Sequence, residues 1–249
     1  MNRVVFLGTA GARIAVFKQI RASGGIWLEL NDTRILIDPG PGSLVKCCAS
    51  RTGLDPRKID AVFLSHRHLD HSADMNVMVE AMTEGGLKKR GAVFLPADAL
   101  SDDPVLWSYA RSYVEEIIIL KENETYSLKK LKIYISKRLI HSVETYGAKF
   151  EGDKTIVYIP DTKFFPTLYE DFKGNILIIN VVRKEKSEYD HLSLGEAREI
   201  IKAIKPETAI LTHFGMTMIT AKPWVLAEKL QEEIGIKVIA ARDGMQFAL

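Results

Sequence analysis

The segment 65–71, Ser-His-Arg-His-Leu-Asp-His, places three imidazoles and one carboxylate within six consecutive positions, 66–71. It follows the apolar run 61–64, which has the composition of a buried strand. His66 and His68 are two positions apart, so in an extended or tightly turned backbone both rings can point to one place. A lone histidine is most often a structural group, but four metal-binding side chains this close together indicate a metal site. Imidazole and carboxylate ligands suit zinc, with manganese or iron as alternatives.

The other three histidines of the chain, and one aspartate, also lie beside predicted strands. His141, Asp161 and His213 each follow an apolar run that is typical of a strand, and His191 lies beyond another such run. Reactive groups in open α/β architectures collect where strands end and loops begin. We therefore expect these side chains to converge on one edge of the fold.

The order of these residues, His-x-His-x-Asp-His at 66–71 and then His141, Asp161 and His213, resembles the metallo-β-lactamase superfamily of metal-dependent hydrolases. The resemblance covers most of the chain and includes two glycine-containing loops and a closing turn, at 6–11, 35–42 and 243–244. It implies an α/β fold of the four-layer αββα sandwich type, with a two-metal centre at one edge.

The resemblance also implies a role for each candidate ligand. One metal ion would be held by His66, His68 and His141, the other by Asp70, His71 and His213, with Asp161 bridging them. Metal binding lowers the pKa of water from 15.7 to about 7, so a hydroxide bridging the two ions would be the nucleophile. Asp70, as a ligand, and His191 are the predicted catalytic side chains.

His191 is the one histidine that this ligand assignment does not use. It lies in Tyr-Asp-His-Leu-Ser at 189–193, which resembles the His-Leu-Ser/Thr element of phosphodiesterase members such as tRNase Z and cyclic-phosphate phosphodiesterases. An imidazole beside a metal centre is suited to protonate a leaving alkoxide, so we predict that His191 is a general acid. Arg183, with Lys184 and Lys186, is a candidate for substrate phosphate binding; solvated surface charge is the alternative.

Two features differ from tRNase Z. That family carries a long arm for gripping tRNA between the positions of His141 and Asp161, where this chain has only nineteen residues. It also carries a glutamate that orients the proton-donating histidine, in a His-Glu-Ala-Thr element. The corresponding segment here, 179–183, reads Ile-Asn-Val-Val-Arg, so the orienting glutamate is missing; Asp190 and Glu144 are candidates to replace it, and the sequence does not place either.

These features favour a dimetal phosphodiesterase that acts on a small or nucleotide-like phosphodiester. A tRNA 3′-processing endonuclease without the usual arm is the first alternative, and RNA then becomes a partner. A thioester or lactone hydrolase of the glyoxalase II type is the second, since it shares the metal ligands but does not need His191. A non-enzymatic metal-binding protein is the third.

Composition favours one domain over residues 1–249, because a two-sheet sandwich commonly has this length. No apolar run reaches the ~18 residues that span a bilayer, and Met1-Asn2-Arg3 leads straight into a predicted strand instead of a signal sequence, so we expect a cytoplasmic protein without membrane contact. The formal net charge of +2 is not that of a strongly basic nucleic-acid binder. Cys47 and Cys48 are adjacent, which disfavours a disulfide. The chain could form a homodimer.

Hydrophobic periodicity predicts the order of elements. Strands are expected at 3–7, 26–31, 34–38, 61–64, 92–95, 116–120, 131–137, 155–159, 176–182, 208–212 and 236–240. Helices are expected at 43–51, 72–84, 104–112, 165–172, 194–204 and 223–234, the fifth of them capped by Ser193.

Overall fold

The computed structural model describes residues 2–249, and its strands form two seven-stranded sheets. The strands are β1 (Arg3–Phe6), β2 (Ile26–Leu30), β3 (Thr33–Ile37), β4 (Ala61–Phe63), β5 (Ala92–Leu95), β6 (Glu116–Ile119), β7 (Thr125–Leu128), β8 (Leu131–Ile135), β9 (Ala148–Glu151), β10 (Thr155–Ile159), β11 (Ile176–Asn180), β12 (Thr208–Thr212), β13 (Lys237–Ala240) and β14 (Gln246–Ala248). The helices are α1 (Ala12–Lys18), α2 (Ser43–Cys48), α3 (Leu69–Ser72), α4 (Met75–Met82), α5 (Leu194–Ile204), α6 (Met216–Thr220) and α7 (Pro223–Ile234).

The two sheets pack face to face, with helices on both outer faces. The first sheet has the order β14-β1-β2-β3-β4-β5-β6 and the second β13-β12-β11-β10-β9-β8-β7. Side chains from both sheets form the inner core, where the rings of Phe63 and Phe150 meet edge to face at 5.6 Å between centroids. Apolar residues of α4 cover the outer face of the first sheet, and those of α5 and α7 cover the second. This is the predicted αββα sandwich.

The loops that carry the candidate ligands follow parallel strands and lie at one edge of the sandwich. Strands β3 to β6 run parallel in the first sheet, and β10 to β13 run parallel in the second. The loop that begins at Asp38 follows β3, and the loop with His66 follows β4. Asp161 and His213 follow β10 and β12. Because the carboxyl ends of parallel strands share an edge, these side chains lie close together.

Helix α5 begins as expected. The Ser193 hydroxyl accepts a hydrogen bond from the Glu196 amide, and the Glu196 carboxylate accepts one from the Ser193 amide, which forms a capping box. This cap fixes the chain two residues after His191. The sequence prediction of Ser193 as the cap is therefore confirmed.

Two predicted helices are wrong. The segments 104–112 and 165–172 contain only short 3₁₀ turns, at Ala110–Ser112 and Leu168–Asp171. In the first segment the Asn76 side chain bonds the backbone of Val105 and Trp107, at 2.8 and 2.9 Å, and so competes with helical hydrogen bonding. The sequence patterns also missed β7, β9 and β14, which are short, and α1 and α6.

Two further expectations concern a disulfide between the adjacent cysteines and a membrane-spanning segment. Cys47 is buried and Cys48 is exposed, and both are free thiols. Within residues 2–249, every helix is too short or too polar to cross a membrane.

Candidate metal centre

Three histidines from two loops face one another. The metal-binding atoms of His66, His68 and His141 all lie within 4.8 Å of one another. Nδ1 of His68 is 3.1 Å from Nε2 of His141, and the buried Nε2 of His66 has no hydrogen-bond partner among residues 2–249. Buried polar atoms almost always have a partner, and a metal ion would satisfy all three nitrogens. These residues therefore fit a divalent metal ion.

Neighbouring groups determine which ring nitrogen of these histidines can bind a metal. Nδ1 of His141 donates to the backbone carbonyl of Asp190 at 3.1 Å, so Nε2 keeps its lone pair. The Ser65 hydroxyl lies 3.0 Å from Nδ1 of His66. Burial lowers the pKa of His66 well below its usual value, and burial beside His141 lowers the pKa of His68 to about 4. Both imidazoles are thus neutral at pH 7, which is the form that binds metals.

A second group combines two carboxylates with two imidazoles. The metal-binding atoms of Asp70, His71, Asp161 and His213 also lie within 4.8 Å of one another. Nε2 of His71 is 3.1 Å from Nε2 of His213, which is 3.4 Å from Oδ2 of Asp70. Burial alone would lower the pKa of His213, but the charge of Asp161 raises it to about 8. Two carboxylates at one point attract a cation, so this group fits a second divalent ion.

Asp161 lies between the two groups. Its Oδ2 is 3.4 Å from Nε2 of His213, and a metal-binding oxygen of the same carboxylate lies within 4.8 Å of the binding atom of His141. The other oxygen, Oδ1, accepts a hydrogen bond from the Asn180 amide at 2.9 Å. Asn180 thereby fixes the orientation of the carboxylate, and Oδ2 faces His71, His191 and His213. This arrangement suits a bridging ligand.

His191 lies at the same centre. Its Nε2 is 3.3 Å from Oδ2 of Asp161, and its ring centroid is 5.5 Å from that of His141. Nδ1 of His191 is buried and has no hydrogen-bond partner among residues 2–249. The fold thus gathers His191 and the seven predicted ligands within a few ångströms.

The two carboxylates named as candidates to orient His191 interact with other groups. Glu144 accepts the backbone N–H of Asp98 at 3.2 Å, and the Asp190 carboxylate is 4.0 Å from Nζ of Lys163. Neither bonds the ring of His191. Neither candidate therefore orients the ring, because the Asp190 carboxylate is directed at Lys163 and the Glu144 carboxylate is held by Asp98 and Tyr146.

A cleft of about 1000 Å³ adjoins the centre. His68, Asp70, His141 and Asp161 line it together with His191. Its other walls come from α1, from the loop before α5 and from the start of α6. A molecule bound in this cleft would contact both metal-binding groups.

Of the three cationic residues predicted to bind phosphate, one lies in this cleft. The Arg183 guanidinium sits over the Tyr189 ring at 4.7 Å from its centroid, and both residues line the cleft. Lys184 pairs with Glu185 and Lys186 pairs with Glu196, and neither lysine lines the cleft. Arg183 is thus the cation of this segment that a bound substrate would meet.

A buried carboxylate outside the predicted ligand set, Asp38, holds His71 in place. Its Oδ2 accepts hydrogen bonds from Nδ1 of His71 at 2.8 Å and from the Tyr158 hydroxyl at 2.6 Å. The amide and hydroxyl of Ser65 also donate to this carboxylate. Proton donation from Nδ1 leaves Nε2 of His71 free for a metal. The signal in the sequence is Asp-Pro-Gly directly after a buried strand, at 38–40.

Gly11, at the end of the glycine-containing loop 6–11, packs directly against His213. A Cβ at this position would overlap the ring of His213. His213 itself has φ +57°, in the left-handed region that non-glycine residues rarely adopt. The His213 imidazole therefore depends on two local features to reach the centre. Its own backbone is in the left-handed region, and its ring packs against Gly11, which has no side chain.

Comparisons with known proteins agree with this geometry. A family model described as a β-lactamase superfamily domain matches residues 33–214. An uncharacterized protein of Methanocaldococcus jannaschii is 35% identical over 262 residues, covering 99% of this chain and 94% of that protein. A ribonuclease Z of Methanopyrus kandleri is 39% identical over 276 residues, covering 96% and 95% of the two chains.

Solved structures share the fold. The metallo-β-lactamase fold protein YhfI of Bacillus subtilis has a TM-score of 0.82 at 21% identity, covering 99% of this chain and 98% of that one. A diphosphatase of the PhnP family has a TM-score of 0.72 at 20% identity, covering 99% and 97%. At these identities the two structures establish a common architecture.

Proposed function

This chain belongs to the metallo-β-lactamase superfamily, and we propose that it is a dimetal phosphodiesterase acting on a small or nucleotide-like phosphodiester. Its similarity to a ribonuclease Z and its fold likeness to a diphosphatase support hydrolysis at phosphorus. Both kinds of enzyme cleave a bond between phosphorus and oxygen.

Seven side chains would hold the metals. The proposed ligands are His66, His68 and His141 for one ion, Asp70, His71 and His213 for the other, and Asp161 for both. The unpartnered Nε2 of His66 and the close approaches between ring nitrogens support this set. Two bound divalent ions, zinc or else manganese or iron, would supply Lewis acidity and a water of lowered pKa.

The position of His191 carries the proposal. Its Nε2 lies 3.3 Å from the Asp161 carboxylate, within the cleft and beside both groups of ligands. An imidazole there can donate its Nε2 proton to the leaving oxygen of a phosphodiester as the bond to phosphorus breaks. A thioester or lactone hydrolase has less need of this proton donor, because thiolates and strained esters leave more easily.

Arg183 would bind the phosphate. Its guanidinium lines the cleft and is held over the Tyr189 ring, so its position is restrained before substrate binds. Guanidinium groups bind phosphate oxygens through paired hydrogen bonds. Arg183 would thus orient the substrate while His191 faces the leaving group.

Processing of tRNA 3′ ends is the second candidate. The identity of 39% to the ribonuclease Z of Methanopyrus kandleri, over nearly the full length of both chains, favours it. The net charge of +2 and the segment between His141 and Asp161 count against it. That segment contains the short hairpin of β9 and β10, which leaves no length for a tRNA-binding arm there.

A panel assay tests the proposal. Protein loaded with zinc or manganese is given bis-p-nitrophenyl phosphate, a cyclic nucleotide, a thioester and a precursor tRNA. We expect the highest kcat/KM on one of the small phosphodiesters. A preference for the thioester would reject the proposal, and efficient cleavage of the precursor tRNA at its 3′ end would favour the second candidate.

A further inference from the structure

We propose that the cleft contains an aromatic subsite, formed by α1 and Tyr189, which binds a flat aromatic substituent of the substrate. This inference rests on the proposed function and adds the chemical class of the group attached to phosphorus. Its main residues are Ile14 and Phe17 of α1, Leu69 of α3, and Tyr189.

Helix α1 directs its apolar residues away from the core. Ala15 is its buried residue, whereas Ile14 is 52% exposed and Phe17 is 69% exposed. These two residues are three positions apart, so they lie on one face of the helix. Both line the cleft. An apolar face that covers no core but lines a reaction cleft is positioned to contact substrate.

The helix is attached directly to the proposed metal centre. The backbone N–H of Ala12, the first residue of α1, donates to Oδ2 of Asp70 at 3.1 Å. Leu69, which precedes Asp70, is 77% exposed and also lines the cleft. The apolar surface is therefore continuous with the proposed ligands. A substrate with its phosphate at the metals would place its substituent against this surface.

Two of the exposed side chains are aromatic. Tyr189 is 55% exposed, and Arg183 packs on its ring while both line the cleft with Phe17. Aromatic rings pack best against other flat π systems, in offset or edge-to-face arrangements, and gain more from such a partner than from area burial alone. The cleft of about 1000 Å³ is also much larger than a phosphate group needs. These features favour an aryl or nucleobase substituent over a short alkyl group.

Binding of inert phosphonates tests the subsite without any reaction. Zinc-loaded protein is titrated calorimetrically with phenylphosphonate, methylphosphonate and octylphosphonate, and with a nucleoside 5′-monophosphate. We expect phenylphosphonate to bind about tenfold more tightly than methylphosphonate, and Phe17→Ala to reduce that ratio by roughly fivefold. Trp224→Ala is the matched control, because Trp224 is an exposed aromatic residue of α7 outside the cleft; it should leave the ratio unchanged.

Kinetics give a second test. Bis-p-nitrophenyl phosphate and methyl p-nitrophenyl phosphate share a leaving group and differ in the retained substituent. Phe17→Ala should raise KM for the diaryl ester more than for the methyl ester. If the wild-type protein hydrolyses neither ester, the proposed function fails while the phosphonate titration still decides the subsite. Tight nucleotide binding that depends on Phe17 would identify the aromatic group as a nucleobase, in support of the subsite.

Three results would overturn the inference. Equal affinity for phenyl- and methylphosphonate would exclude an aromatic subsite. Tighter binding of octylphosphonate than of phenylphosphonate would assign the surface to an alkyl chain. A dimer in sedimentation that dissociates in Phe17→Ala would assign the α1 face to a second copy of the chain.

Discussion

At the scale of single residues, the candidate centre combines side chains that converge on one edge of the fold with the partners that orient them. His66, His68 and His141 converge as expected, because each follows the end of a strand at the same edge. The partners that orient these rings were harder to predict. Asp38 and Asn180 are single polar residues at strand ends, and their contacts at 2.8 and 2.9 Å join the ends of neighbouring strands in the same sheet, so they depend on strand pairing that the local sequence does not specify.

His191→Ala separates catalysis from metal binding. If His191 is the general acid, the variant should retain its metal ions and lose roughly 10²- to 10⁴-fold in turnover of a nucleoside phosphodiester. The loss should be much smaller with p-nitrophenolate, which leaves without a proton. Loss of an ion by elemental analysis, or equal losses on both substrates, would contradict the general-acid role.

Asp38→Asn tests the group that holds His71. An amide nitrogen cannot accept the hydrogen bonds that Asp38 accepts from His71, Tyr158 and Ser65. Zinc affinity, measured by competition with a chelator, should fall by about 10- to 100-fold. Asp60→Asn is the control, because Asp60 is a buried carboxylate at the opposite end of β4 and bonds the Arg34 amide. It should alter stability without changing zinc affinity.

At the scale of elements, long periodic segments were predictable and short or exposed ones were not. Helices α5 and α7 and the buried strands β10 and β12 were correctly predicted, because their apolar periodicity reflects burial. Helix α1 was missed because its apolar residues face the cleft and not the core. Strand β14 was missed because three residues at a sheet edge carry little pattern.

Gly11→Ala tests the loop that packs on His213. Because an added Cβ would overlap the imidazole ring, the ring must move and the zinc content should fall below two ions per chain. Gly195→Ala on α5 is the control, since a Cβ there meets no atom within 4 Å. It should keep both ions and raise the free energy of unfolding by up to about 1 kcal/mol. Two zinc ions per chain in Gly11→Ala would contradict this prediction. Either His213 would then not be needed for zinc binding, or the loop would shift to make room for the added Cβ.

At the scale of the whole molecule, the topology accounts for the site. Two parallel sets of strands, one in each sheet, bring their carboxyl ends to one edge, where residues from distant parts of the sequence meet. The resemblance predicted this sandwich. It did not predict the apolar wall of the cleft, because Ile14 and Phe17 belong to no motif of the ligand set.

Charge leads to a prediction about RNA. A nuclease that grips a tRNA body gains affinity from many phosphate contacts, and each one steepens the dependence on salt. With a net charge of +2, this chain should bind tRNA weakly and lose that binding as salt rises. Its kcat/KM should be higher for a small phosphodiester than for precursor tRNA, measured side by side at physiological salt. The reverse order would favour tRNA processing.

The most direct test of the dimetal phosphodiesterase is a metal titration of the metal-free protein. Zinc is added stepwise while hydrolysis of bis-p-nitrophenyl phosphate and bound zinc per chain are measured together. The proposed ligand set predicts that activity rises to a plateau at two ions per chain. A plateau at one ion, or no hydrolysis with two ions bound, would contradict it.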